Sequence, residues 1–352
     1  MSSDPLTDVL SSVRLSGAVF FAVEGTPPWV AEAPAASTIA AGVMPEADHV
    51  IEFHAVTRGH CLAGIVGEEP VRLESGDVIC FPHGDPHVMS SARGLRAPPS
   101  DLSFYQRRAG CRLPFAVKLG EGPAEAHLVC GFLGCDARPF NPLLASLPRV
   151  LRASDRDRSR GGWLARFVEV AESEAQSSRP GGEGVLARLA ELMFVEIVRR
   201  HLESLPSDRT GWLAGLRDPH VGKALAALHG RPAAAWTIEA LGREAGLSRS
   251  ALAERFAALV GEPPFQYLGR WRMQIAAGLL ASSHEGVAAI GARVGYASEA
   301  AFSRAFKKLV GVPPAAWRRR RVPRWSDGSG LPETVPKASG AEPAESPAGA
   351  AG

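Results

Sequence analysis

The 352-residue chain has five cysteines, an odd number, and they are not spaced as the pairs of a zinc site. A fully paired disulfide framework is thereby excluded, and free thiols in a reducing compartment are expected. No apolar run reaches the ~18 residues that a membrane span needs, and the opening MSSDPLTDVL lacks the basic and apolar regions of a secretory signal. A cytoplasmic protein with no membrane partner follows as the expectation. A phosphate loop, a Gly-x-Ser-x-Gly elbow and carboxylates paired at helical spacing are also missing, so no catalytic residue and no cofactor is assigned. From Leu331 onward large apolar residues almost vanish, and residues 322–352 read as a disordered tail that cannot bury enough surface to offset its ordering entropy.

What the chain does have is a repeat of about twenty-five residues. Leu241 to Pro264 (LGREAGLSRSALAERFAALVGEPP) returns as Ile290 to Pro314 (IGARVGYASEAAFSRAFKKLVGVPP). Gly246 aligns with Gly295, Phe256 with Phe306 and Gly261 with Gly311, with one residue inserted between the first glycine and the phenylalanine. In each copy an apolar helix ends at a glycine, a short turn follows, and a second helix opens at a serine, Ser248 or Ser298, which is the layout of a helix-turn-helix. Leu252 and Phe256 face the core of the first unit, and Phe302 and Phe306 that of the second. The residues between them point outward.

The charge is concentrated in the same place. Residues 211–321 hold 16 Lys and Arg against 7 Asp and Glu, a net of +9, whereas the whole chain totals +2. Arg249, Arg255, Arg304, Lys307 and Lys308 lie on the outward faces, and Arg318 to Arg321 close the segment. Such a footprint suits phosphate neutralisation on a DNA duplex.

The second copy reads Gly295, Tyr296, Ser298, Phe302, Ser303, Arg304, Phe306, Lys307, Lys308, Gly311, Pro314. With it, the stretch from about Pro219 to Arg320 resembles the DNA-binding domain of the AraC/XylS family of bacterial transcription regulators. The resemblance implies two helix-turn-helix units joined by a long helix, so that one chain reads two successive major-groove segments. Phe265 to Ser282 has the apolar periodicity for that helix. Carried over, the family's base-reading positions fall on Ser250, Ala253 and Glu254 in the first unit and on Glu299, Ala300, Ser303 and Arg304 in the second. Glu254 departs from the arginine common there, and Arg255 follows it. Ser248, Arg249, Arg255, Lys307 and Lys308 complete the expected DNA-facing set. Arg304 is the expected guanine reader, because its guanidinium fork fits O6 and N7.

The N-terminal part alternates short apolar stretches with Gly, Pro and Asp turn signals: Gly17 to Val23, Val50 to Val56, Leu62 to Val66, Val71 to Leu73, Val78 to Phe81 and His127 to Phe132. That rhythm predicts an all-β barrel or sandwich. Gly76 to His87 fits the second cupin motif through Gly76, Pro82, Gly84 and His87, with Ser91 where an asparagine is usual. Of the first motif only Glu52 and Gly59 remain, since Glu46 and Asp48 replace its histidines and His49 stands one step away. Glu52 and His87, with His54 and His83 nearby, make a poor transition-metal set, and no metal is expected. His87 and Pro82 read instead as turn residues that define the fold.

With DPLTDVL, SGAVFFAVEG, LVCGFLGCD and NPLLASLP added, the N-terminal half resembles the cupin-type sensor of one AraC subfamily, and the resemblance spans about residues 4 to 321. It implies that the barrel receives a small-molecule or redox signal. Cys130 stands where some relatives have a thiol implicated in oxidant sensing, with Cys111 and Cys135 as candidate partners. Cys130, His54 and His87 are the sensor candidates.

The expected fold is α+β with two domains: a cupin-like barrel at 1–145, a helical linker at 146–210, and an all-α double helix-turn-helix domain at 211–321. Within the linker Val185 to Leu205 is too apolar for an exposed spacer. It packs on the sensor or contacts a second copy in a homodimer. The expected function is sequence-specific regulation of transcription, with double-stranded DNA as partner, RNA polymerase as a further partner if the protein activates, and no enzymatic activity. Two other readings are a metal-dependent cupin enzyme, such as an isomerase or dioxygenase, under an attached DNA-binding control, and a constitutive DNA-binding protein whose barrel only dimerises.

Overall fold

The computed structural model describes residues 4–106, 112–154, 162–177, 179–206 and 208–321, with the backbone alone at Arg320 and Arg321. The tail at 322–352 and Cys111 lie outside the described residues. The N-terminal half runs α1 (Pro5–Ser12), β1 (Ser16–Gly25), β2 (Val30–Ala33), α2 (Ala36–Val43), β3 (His49–Arg58), β4 (His60–Ile65), β5 (Val71–Glu74), β6 (Val78–Phe81), β7 (His87–Ser90), β8 (Phe115–Leu119), β9 (Ala126–Cys135), α3 (Pro142–Ser146) and β10 (Leu151–Ala153). Each strand predicted from the sequence is present. The four that were not, β2, β7, β8 and β10, have three to five residues each, too few to show a period.

The strands form a six-stranded sheet in the order β10-β6-β3-β9-β1-β8 and a four-stranded sheet in the order β2-β7-β4-β5. Among the described residues only β1 and β8 pair in parallel. Along β9 the side chains alternate as a strand requires: Leu128, Cys130 and Phe132 enter a core shared with the four-stranded sheet, and Val129, Leu133 and Cys135 point the opposite way. Along β3, Val50 and Val56 face inward with Glu52 and His54 between them, and Ile51, Phe53 and Ala55 face outward.

Two helices, α4 (Trp163–Gln176) and α5 (Gly182–Ser204), cover the outward face. Leu164, Phe167, Leu186, Met193, Phe194 and Ile197 are all buried there against the sheet. Close approach makes Gly17 necessary at this contact, since a Cβ would stand 2.4 Å from the Ala187 carbonyl oxygen. Its N–H donates to Glu191 Oε1 at 3.1 Å. Of the two roles open to the apolar stretch Val185 to Leu205, packing on the sheet accounts for its buried side chains.

The C-terminal half consists of α6 (Trp212–Arg217), α7 (Val221–Gly230), α8 (Ile238–Ala245), α9 (Arg249–Val260), α10 (Pro264–Ser282), α11 (Val287–Arg293), α12 (Glu299–Val310) and α13 (Pro314–Arg321). Its two units are packed differently. Leu225, Leu241, Leu252, Phe256, Tyr267 and Trp271 continue the core under the six-stranded sheet, so the first unit is joined to the N-terminal half by one apolar cluster. Met273, Leu280, Ile290, Phe302, Phe306 and Trp317 form a separate core for the second. No helix among the described residues is long and apolar enough to cross a membrane.

Candidate functional site

Two regions carry chemistry, the outward faces of α9 and α12 and a cavity inside the strands. Both helices have twelve residues and open on a serine whose hydroxyl accepts an early helical N–H: Ser248 from Ala251 at 3.3 Å and Ser298 from Ala301 at 3.2 Å. The extra residue of the second copy sits in its turn, which runs Gly295, Tyr296, Ala297, Ser298 against Gly246, Leu247, Ser248. Gly295, at φ +86°, could not be replaced there, because a Cβ would meet the Ala233 carbonyl at 2.6 Å. Two donations from Arg272, to the carbonyls of Pro232 and Ala234 at 2.7 and 2.9 Å, tie α10 to that same loop.

On α12, Glu299, Ala300, Arg304, Lys307 and Lys308 are exposed and Ser303 is half-buried, while Phe302 and Phe306 are fully buried beneath them. Among the described residues, Arg304, Lys307 and Lys308 have no carboxylate partner, so their charge faces solvent. On α9, Ser250, Arg249, Glu254 and Arg255 are exposed and Ala253 is half-buried. Its cations are less free. Arg249 lies 3.5 Å from Glu239, and Arg255 donates through Nε and Nη2 to Asp218 Oδ2 at 2.9 and 2.5 Å. Asp218 also accepts the N–H groups of His220 and Val221 at the start of α7. Arg255 therefore fastens α9 to the α6–α7 corner.

Between the two sheets lies a cavity of about 160 Å³. Phe21, Trp29, Met89, Leu128 and Phe132 give it an apolar wall, and Glu52, His54 and His87 form its polar end. His87 is fully buried, stacked on Phe81 at 3.8 Å, and donates from Nδ1 to the Asp85 carbonyl at 2.9 Å. Its Nε2 then carries a lone pair and accepts from His54 Nε2 at 2.7 Å, which leaves His54 Nδ1 a bare acceptor without a partner among the described residues. The surface that His54 keeps lines the cavity. Burial favours the neutral form of all three groups: it pushes the Glu52 carboxyl from 4.5 up to about 8, lowers His87 to about 4, and holds His54 well below the usual imidazole range.

One donor atom from each of Glu52, His54 and His87 lies within 4.8 Å of the others, and His54 joins this set although it stands outside both motifs. As arranged the two histidines are engaged with each other and would have to part before both could ligate an ion. The two imidazole nitrogens that would be ligands are hydrogen-bonded to each other at 2.7 Å, whereas two nitrogens ~2.0–2.1 Å from one tetrahedral ion stand about 3.3 Å apart. His83 bonds instead to the Leu147 carbonyl at 2.9 Å, and His49 to that of Pro82 at 2.6 Å.

Cys130 borders the cavity, and burial pushes its thiol far above the usual range, away from the reactive thiolate. The expected partner Cys135 is corrected by strand geometry: five residues along β9 is an odd offset, and the two side chains lie on opposite faces of the sheet. Cys61 shares the inner core with Cys130.

The sequence reading missed the polar contacts between the halves. Gln274, 1% exposed in α10, accepts the Phe140 N–H through Oε1 and donates through Nε2 to the Ser12 carbonyl, both at 3.1 Å. Tyr267 accepts from Trp212 Nε1 and donates to His229 Nε2, each at 2.7 Å, and His229 Nδ1 faces Asp8 of α1 at 3.6 Å. Arg270 lies over the Phe140 ring at 4.1 Å. Gln274, set between Met273 and the run Ile275 to Ala277, was the available signal.

A family model described as Cupin matches residues 4–203, and one described as Helix-turn-helix domain matches residues 241–320. An AraC-like transcription regulator of Streptomyces antibioticus is 34% identical over 325 residues, covering 91% of this chain and 100% of that relative. The HTH-type transcriptional regulator AlkR of Acinetobacter baylyi is 32% identical over 250 residues, 70% of this chain and 80% of its own length. Among solved structures, ToxT of Vibrio cholerae O395 aligns over 89% of this chain and 99% of its own at 10% identity, with a TM-score of 0.34. A cupin half under a helix-turn-helix half, matched nearly end to end by such a relative, places this chain in the AraC family of DNA-binding transcription regulators.

Proposed function

We propose that the protein recognises an operator through α9 and α12 and that an effector entering the barrel cavity controls this binding. The observation that carries the DNA reading is the pair of serine-capped, twelve-residue helices whose outward faces include three cations without a carboxylate partner among the described residues. In this reading Arg304 takes a guanine through its bidentate fork, Glu299, Ala300 and Ser303 border the same bases, and Lys307 and Lys308 neutralise phosphates. On α9, Ser250, Ala253 and Glu254 face the second groove segment. Ser248 caps the helix there, Arg249 reaches the backbone, and Arg255 holds the helix at its docking angle through Asp218.

The cavity supports a small-molecule signal over an oxidant, because the Cys130 thiol beside it is held protonated. A receptor role also suits it better than the metal-dependent enzyme reading, since the two histidines bond each other. An activator of this kind would also contact RNA polymerase. A second copy is not needed to read two groove segments, because one chain presents both helices.

The test is operator selection from a random duplex pool, followed by affinity measurements. Arg304→Ala should cost ~1–3 kcal/mol and relax discrimination at one base pair, whereas Lys307→Ala should weaken all sequences alike and reduce the salt slope by about one. Full discrimination retained by the Arg304 variant would remove that residue from base reading.

A further inference from the structure

We infer that the barrel cavity selects a neutral single-ring phenol, or an alcohol of like size, holding the hydroxyl between Glu52 and His54 and the ring against the aromatic wall. The inference rests on the receptor reading above and gives it a chemistry.

Size comes first. At about 160 Å³ the space is close to the ~150 Å³ of an apolar cavity that admits benzene. Trp29, Phe21, Phe132, Leu128 and Met89 line it, so most of an occupant's surface would meet carbon.

The polar end sets the functional group. Two buried side-chain atoms there lack any partner among the described residues, Glu52 Oε1 and His54 Nδ1. The run of bonds from the Asp85 carbonyl through His87 to His54 makes His54 Nδ1 an acceptor. Glu52, 2% exposed and kept protonated by its burial, brings an O–H. A free acceptor beside a free donor is complemented by a hydroxyl, which donates once and accepts from its other side. One ligand atom of Glu52 and one of His54 stand within 4.8 Å of each other, so the two side chains border the same end of the space.

Charge is excluded on both sides. Among the described residues no Lys or Arg lines the cavity, and the guanidinium of Arg96, which holds the lining residue Glu32 through two bonds of 2.8 Å, is already engaged, so an anion would find no free cation there. The Glu32 carboxylate in the lining is already paired with Arg96, so a cationic occupant would have to draw the proton from Glu52 inside an apolar wall.

The test titrates the full chain at pH 7 by calorimetry with phenol, toluene, benzoate and benzylamine. Phenol should saturate at one equivalent, toluene should bind about tenfold or more weakly because it leaves both polar groups unpaired, and the two charged probes should show no saturable binding. In His54→Phe, phenol should fall to the level of toluene while toluene is unchanged, which also shows that the cavity is intact. Glu52→Met should give the same convergence, and serves if the first variant does not fold. Equal affinities for phenol and toluene in the parent, or phenol affinity retained in a folded variant, would overturn the hydroxyl contact. Tighter binding of benzoate or benzylamine would overturn the chemistry yet leave the cavity as a receptor. No saturable binding by any of the four would overturn both.

Discussion

Replacing Glu52 by glutamine removes the one carboxyl group at the polar end of the cavity while keeping its shape. In the folded protein that carboxyl titrates near pH 8, against 4.5 for an ordinary glutamate, and burial is the cause. The groups around it are His54, His87, Tyr105 and Cys130, of which the histidines are pushed toward neutrality and Tyr105 and Cys130 are held protonated. A raised folded-state value means that the native protein keeps its proton longer than the unfolded chain. The stability associated with Glu52 is therefore fully present below pH ~4.5 and is lost as pH rises to about 8. A span of 3.5 units at ~1.36 kcal/mol each sets a ceiling of about 5 kcal/mol. Glutamine cannot ionise and lacks this slope. Urea unfolding of parent and Glu52→Gln at pH 5 and pH 8.5 should show the variant gaining on the parent as pH rises, by no more than that ceiling. A variant-minus-parent difference that stays flat or falls as pH rises would mean that Glu52 is ionised in the fold, paired with His87 at 3.8 Å, and would refute the neutral polar end.

Three further outcomes follow from the packing. Gln274→Met leaves the Phe140 N–H and the Ser12 carbonyl without partners, at ~1–3 kcal/mol each, and should lower stability in urea by about 2–6 kcal/mol; an unchanged midpoint would show that the glutamine bonds do not join the halves. Phe306→Ala should cost ~3–5 kcal/mol in the separate core of the second unit, so hydrogen exchange should lose protection in α11 to α13 and keep it in the sheets; loss in both would contradict the division of cores. Cys130 should resist alkylation at pH 8 until the protein unfolds, and Cys130→Ser should answer oxidant like the parent; rapid labelling of the native thiol would contradict its protonated state.

The DNA-binding half was legible because its signals are local and doubled. Capping serines, turn glycines and apolar residues four apart, Leu252 with Phe256 and Phe302 with Phe306, specify a helix-turn-helix within some twenty residues, and the repeat repeats the statement. The long strands were legible from their period. The cavity was only half legible: Glu52 and His87 lie in motifs, but His54 earns its place through a register that pairs His54 with Ile79 in β6 and aims it inward two residues after Glu52. Trp29, Met89 and Tyr105 reach the same space from the residue before β2, from β7 and from a short turn, segments too brief to carry a pattern. The join between the halves was invisible for another reason. Gln274, Phe140 and Ser12 meet across separations of 134 and 262 residues, and no local spacing records that.

The central claim is that one chain sets two adjacent helices into consecutive major-groove segments. Hydroxyl-radical footprinting of the full chain on its selected operator, at physiological ionic strength, tests this most directly. Two protected segments should appear about one helical turn, ~34–36 Å, apart on one face of the duplex, with Arg304→Ala altering base preference in only one of them. A single protected segment, or no preferred target across the pool, would contradict it.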